Sequence, residues 1–391
     1  MKKYLAFFCL FIVTLYTVGP YFFEKNFFLN EILSLIGLIV FATKGFKIKR
    51  SAISLNVLLL IGLGMAHAIV SLFVNDGWYF YFRNTVIVYS IFSFFFGYFI
   101  YSYFFQFVVR FRAIITNYVL IFLIFPITNL FYDRFGMSVL FPAIFKPDAK
   151  KKWILPSLAI LVAIYSIRYE SSTILLLSFF YAFILFFPNY HFLKISFFFA
   201  LLSFSAVFIY LLPNLSLIEN GFSFFSTDSI WNVINSHPLL KVDPNSTWRL
   251  VIWKQLIVDA FPGNLFGIGF GTPALKYFPV EDYSKLDTLP YVLGAHNSFI
   301  YLFNRLGVFF LFMMYSIYKC VFKEYFRYRK VYSVQSLLLF YSFFAITFIA
   351  LFNPTLETPI YASSFWITLG LVGRAIDERK LKLDTVEKQI V

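Results

Sequence analysis

His296 opens the run HNSFIYLFNRLG, residues 296–307, at the point where a long polar and aromatic connection gives way to an apolar stretch. A histidine placed there can take a proton near neutral pH, close to both water and lipid. The alternative is a histidine that only packs. His67, His191 and His237 have no comparable setting and read as packing or surface residues. Upstream lies STWRLVIWKQLIVDAFPGN, residues 246–264. Ser246 or Thr247 can cap a helix there, and Pro262 with Gly263 can end it. On such a helix Arg249, Ile252, Trp253 and Leu256 share one face. That places a guanidinium on an apolar, membrane-hugging surface, the alternative to a functional role being an arginine that snorkels to the interface.

Gly267-Ile-Gly-Phe-Gly271 follows, and closely spaced glycines let backbone amides approach an anion. No Lys-Ser or Lys-Thr follows them, so this is not a nucleotide P-loop, and a plain tight turn is the competing reading. Arg168 in SIRYESS and Glu357 in NPTLETPIY add charges near the ends of apolar stretches, where ionisable groups are functional candidates by default. Arg168 with Glu170 can equally form a surface pair in a tight turn. Glu31 and Arg83 read as boundary charges. No metal pattern is present: no H-E-x-x-H, no Cys/His cluster and no D-x-D pair. The two cysteines, Cys9 and Cys320, suggest neither a disulfide nor a metal site.

These residues need elements to position them, and composition says what those elements are. The chain of 391 residues is 60% hydrophobic, 23% aromatic and only 13% charged. Soluble domains are about 25% charged, so a water-exposed surface could not be covered here. Apolar runs of about 20 residues, long enough for the ~30 Å hydrocarbon core, recur along the chain. In lipid they must be helices, because each backbone amide needs an internal partner. Spans are expected near 4–23, 27–43, 51–74, 84–105, 114–131, 153–168, 171–188, 193–212, 296–318, 335–352 and 358–373, with a weaker segment at 134–146. The first is read as a retained helix, since no A-x-A-like cleavage site follows it.

Basic clusters at Lys2/Lys3, Lys44–Arg50, Arg110/Arg112, Lys146–Lys152, Lys319–Lys330 and beyond Arg374 all belong in the cytoplasm by the positive-inside rule. Arg112 and Lys150 can share that side only if the chain crosses twice between them, which makes 134–146 a span. The expected fold is therefore all-α and polytopic, with about 12 transmembrane helices and both termini cytoplasmic. The net charge of +14 is a topology signal, and no nucleic-acid partner is read from it. The organisation expected is an N-terminal transmembrane bundle at 1–212, a large periplasmic loop at 213–295, C-terminal transmembrane helices at 296–373 and a cytoplasmic tail at 374–391. The long loop carries Trp231, Trp248, Trp253 and many Phe and Tyr, unlike a solvated linker.

In order along the chain stand an S-R-like turn at Arg168, R-x-x-x-W at Arg249, P-x-x-x-x-G-x-G-x-G, H-N-S-F-I-Y-L-x-x-x-x-G and N-P-x-L-E-x-P. This order resembles the O-antigen ligase and polymerase superfamily, bacterial membrane glycosyltransferases of the C type. The likeness is clearest over residues 165–373. It implies metal-independent, inverting sugar transfer at the outer face of the inner (plasma) membrane, with no cofactor. The donor would be a glycan on undecaprenyl pyrophosphate. The acceptor would be another lipid-linked repeat for a polymerase, the favoured reading, or lipid A-core for a ligase. A chain-length regulator and membrane lipid are further implied partners.

By this resemblance His296 would accept the proton from the attacking hydroxyl. Arg249 and Arg168 would meet the pyrophosphate, and Gly269, Gly271, Asn297 and Arg305 would line the donor or glycan site. Two positions depart from the pattern. Arg305 stands where many relatives carry Glu, so it can add a third cation or pair with an acid such as Asp287 or Glu357. The turn between the spans expected at 153–168 and 171–188 reads S-I-R rather than S-R. The rival class is a lipid-linked oligosaccharide flippase or other transporter, which would place its polar groups along several helices near mid-membrane.

Overall fold

The computed structural model describes residues 29–44, 51–103, 106, 249, 252–253, 255–257, 264–276, 291–292 and 294–390. Over these residues the chain is mostly helical. The helices are α1 (Leu29–Lys44), α2 (Ala52–Phe73), α3 (Trp78–Ser90), α4 (Ser298–Leu306), α5 (Val308–Tyr328), α6 (Val334–Phe352) and α7 (Pro359–Ile390). A two-residue antiparallel pair, β1 (Leu275–Lys276) with β2 (Tyr291–Val292), sets Leu275 opposite Val292 and closes the connection ahead of α4. The spans expected at 4–23, 114–131, 134–146, 153–168, 171–188 and 193–212 lie outside the described residues, and Arg168 with them.

Among the described residues two helices are long and apolar enough to cross a membrane: the 22 residues of α2, and the 26-residue stretch Trp78–Tyr103 that begins with α3. A capping box starts α2, Ser51 Oγ accepting from the Ser54 amide while Ser54 Oγ accepts from the Ser51 amide. One face of α2 is buried through Ile53, Val57, Leu60, Ile61 and Gly64, a helical spacing. The opposite face exposes Leu55, Leu59, Met65 and Ile69. Within Trp78–Tyr103 the path turns at Ile91–Phe92. There the Ser90 hydroxyl donates back to Val86 O at 2.5 Å, and the amides of Ile91, Phe92, Phe94 and Phe95 reach carbonyls three residues back. That is the tightened geometry expected where a serine competes for a helix carbonyl.

Beyond the turn, the helical stretch 93–103 crosses α7 closely. A Cβ at Gly97 would strike the backbone of Ile367, and one at Gly370 would strike that of Phe94. Small residues at such crossings let two backbones approach. The centre of the core is α6, whose Leu339, Phe340, Phe343 and Ile346 are all buried.

One expectation is corrected. The single span at 296–318 is two helices, broken at Gly307, which takes φ 72°. Residues 374–390, within the expected tail, continue α7, whose 32 residues span about 48 Å at 1.5 Å per residue. The first turns of that tail dock rather than hang free. Tyr98 Oη donates to Asp377 at 2.6 Å, Arg379 pairs with Glu324 at 2.7 Å, and the Arg379 guanidinium lies 3.6 Å over the Tyr328 ring.

Candidate functional site

The break at Gly307 builds the site's floor. A helix interrupted inside an apolar core leaves amides and carbonyls that need partners. The loop 264–269 supplies them: Val308 N donates to Leu265 O at 2.8 Å, Ile268 N to Asn304 O at 2.9 Å and Gly269 N to Arg305 O at 3.0 Å. Gly267 and Gly269 have positive φ, and a Cβ at Gly267 would strike the Arg305 carbonyl. The glycines are therefore needed for close approach of backbone to backbone.

Most amides of the glycine run already have partners within the protein. The amides of Ile268 and Gly269 are taken by helix carbonyls, and the Phe270 amide donates to Ser71 Oγ at 2.8 Å. Gly271 accepts from the Asp76 amide at 2.9 Å, and a Cβ there would strike the end of α2 at Val74 and Asn75. The tight-turn reading is what the geometry supports.

Arg305 is fully buried beneath this loop. Its guanidinium donates to Gly269 O at 3.1 Å, Thr272 O at 2.5 Å and Tyr301 Oη at 3.0 Å. Tyr301 Oη in turn donates to Asn84 Oδ1 at 2.7 Å, and Asn84 Nδ2 reaches Phe270 O at 2.9 Å and Thr272 O at 3.3 Å. The ring of contacts closes on Thr272. Arg305 thus holds the loop, and no hydrogen bond joins it to Glu357, one of the two acids expected as a pairing partner. Asp287, its other expected partner, lies outside the described residues.

Above this floor three motifs far apart in sequence come together. Arg249, Ile252, Trp253 and Leu256 are helical, and Ile252, Trp253 and Leu256 are buried, as the expected face requires. Arg249 donates to Phe352 O at 3.1 Å, and the Trp253 indole N–H donates to Ala295 O, next to His296. Trp253 and Phe352 also pack, ring centroids 6.4 Å apart. Ser298 ties the third motif in: its hydroxyl donates to Asn353 O at 3.2 Å and accepts from Leu356 N at 2.9 Å.

His296 itself is half-buried and takes φ 50°, the only positive φ outside glycine among the described residues. Such a backbone costs roughly 1–3 kcal/mol and persists only where the surroundings hold it, which is common at functional sites. Next to it Asn297, 1% exposed, caps α4: its Oδ1 accepts from the amides of Phe299 and Ile300, both at 3.0 Å. Asn297 therefore fixes the start of the helix that follows the histidine.

Glu357 ends this wall. Burial pushes its carboxyl up to about 8, and the Ser298 hydroxyl with the Arg83 and Arg305 cations pulls only partway back. Arg83, Asn84, Tyr301 and Ser298 were not singled out from the sequence as site residues. Asn84 had a signal, a carboxamide inside an apolar span, whereas Arg83 and Tyr301 had none beyond their types. Among the described residues no three His, Cys, Asp or Glu side chains gather as a metal site. No family model, no curated protein and no solved structure matches the chain.

Proposed function

We propose that the chain is a polymerase of bacterial surface polysaccharide, joining repeat units carried on undecaprenyl pyrophosphate at the outer face of the inner membrane. The observation that carries this reading is the convergence of R-x-x-x-W, H-N-S and N-P-x-L-E at one place, through Arg249 to Phe352 O, Trp253 to Ala295 O and Ser298 to Asn353 O. In the proposed mechanism His296 takes the proton of the acceptor hydroxyl as its oxygen attacks the anomeric carbon. The bond from that carbon to the pyrophosphate breaks, and its electron pair leaves with the phosphate oxygen. Arg249, and Arg168 by the motif order, would meet the charge that develops there, since a guanidinium forks to two oxygens and stays ionised. Asn297, Arg305 and the glycine loop act as positioning residues.

The twelve-crossing topology belongs to the same proposal. Apolar side chains exposed on α2, such as Leu55, Leu59 and Ile69, suit a hydrocarbon solvent and support it. The test is a gel of surface and lipid-linked glycans from a deletion strain complemented with wild type or His296→Ala, with membrane abundance of each checked. Collapse to core plus one repeat is the polymerase result. Long chains retained on undecaprenyl pyrophosphate, with none at the surface, would mean ligase. A normal ladder from His296→Ala overturns the catalytic assignment.

A further inference from the structure

Glu357 carries a role that the sugar-transfer reading has not used. It follows the turn that Ser298 ties down and precedes α7. Part of the residue meets solvent, yet both carboxylate oxygens are enclosed, and neither accepts a well-formed hydrogen bond, because the nearby Ser298 hydroxyl donates to Asn353 O. Gly294 faces Oε1, and a Cβ there would stand 3.4 Å from it, in van der Waals contact. The charged and polar groups acting on it are Arg83 from α3 and Arg305 and Ser298 from α4, with His296 and Arg249 in the same wall. Arg305 is spent on backbone carbonyls and the Tyr301 hydroxyl, as above.

Enclosed acceptors without donors are uncommon, because each forfeits its bonds to water. A ligand that supplies two donors side by side would satisfy both oxygens. An anion offers acceptors where the two oxygens lack donors, and a cation would add its charge to Arg83 and Arg305. A neutral polyhydroxy compound has neither fault, and vicinal sugar hydroxyls offer two donors at a suitable spacing. Resting on the transfer reading above, we propose that Glu357 is a carbohydrate-binding residue. Its two oxygens take hydrogen bonds from neighbouring hydroxyls of the acceptor sugar and hold it beside His296.

Donors from the sugar favour the ionised carboxylate, so binding releases a proton and strengthens as pH rises through about 8. The test uses the full chain in detergent and dicyclohexylcarbodiimide, which reacts with a protonated carboxyl. The O–H adds across one C=N bond, and acyl shift to nitrogen leaves a stable N-acylurea found by peptide mapping. The competing probe is the oligosaccharide mixture released by mild acid from the host's envelope. Glu357 is expected to label at pH 7, about tenfold less at pH 9, and to be protected by the oligosaccharides. In transfer assays Glu357→Gln is expected to raise the acceptor KM about tenfold, the equivalent of one or two hydrogen bonds, with a smaller change in kcat.

Labelling indifferent to the oligosaccharides, or a wild-type acceptor KM in Glu357→Gln, overturns the assignment. If wild type transfers nothing while oligosaccharides still protect Glu357, the transfer reading falls and this one stands.

Discussion

Arg305 and Gly269 are bonded in both directions: the Gly269 amide donates to the Arg305 carbonyl at 3.0 Å, and the Arg305 guanidinium donates to the Gly269 carbonyl at 3.1 Å. One loop residue thereby closes a helix break and neutralises none of the charge beneath it. Arg305→Gln is expected to leave buried carbonyls short of donors, at about 1–3 kcal/mol for each. Gly269→Ala must hold φ 72° with a Cβ close to Ser71 Oγ, adding roughly 1–2 kcal/mol of strain. Thermal unfolding should therefore move for both variants, with donor KM little changed in whatever protein remains folded. A donor KM that rises while stability holds would return Arg305 to phosphate binding.

Asn297 presents a separable case, since its bonds are those of a helix cap. Asn297→Ala should lower stability by about 1 kcal/mol, and Asn297→Asp should restore most of it. Loss of transfer in Asn297→Asp at wild-type stability would instead give the carboxamide a direct role with substrate.

The indole of Trp253 holds the carbonyl just before His296. Trp253→Phe keeps much of the buried ring and removes one donor, a loss of about 0.5–1.5 kcal/mol. Because the strained His296 backbone depends on such supports, transfer should fall further than stability does. Equal losses in single-turnover rate and unfolding free energy would mean that Trp253 only packs.

Stability should also respond to pH through Glu357. An ordinary glutamate loses its proton near 4.5, whereas this one holds it until about 8. Between those values the folded state binds more protons than the unfolded one, so stability falls as pH rises and levels off above about 8. Glu357→Gln should remove that slope. Parallel wild-type and variant Tm curves over the same range would contradict it.

At the far end of the molecule Arg379 and Glu324 form a largely enclosed pair at 2.7 Å, with Lys380 also 3.4 Å from Glu324. Removing one partner strands the other charge, so Glu324→Ala should cost about 3–5 kcal/mol. Adding Arg379→Ala to it should cost less than the two single changes together. Truncation after Gly373 is expected to destabilise similarly, which treats the end of α7 as part of the fold.

Helix type and several boundaries were legible because long apolar runs admit little else. Expected spans at 27–43, 51–74 and 335–352 fall within about two residues of α1, α2 and α6. The face of Arg249, Ile252, Trp253 and Leu256 was readable from 3.6-residue spacing, and its three apolar members are buried. The break at Gly307 was not readable, since a lone glycine in an apolar run does not reveal its φ. Nor was the end of α7, where charged residues that look solvated find partners on α5 and on the 93–103 stretch.

Composition and periodicity thus dictated which of the described segments are helical and which residue types could handle protons or anions, because those properties are local to the chain. Which partners those residues meet was decided by tertiary contact. Arg305 and Arg249 are the same side chain in sequence terms. One is consumed by carbonyls that a helix break and a glycine loop bring to it, and the other meets Phe352 O across a separation of 103 residues. Glu357 likewise owes its raised carboxyl to burial beside elements far away in the chain, and only folding supplies that burial.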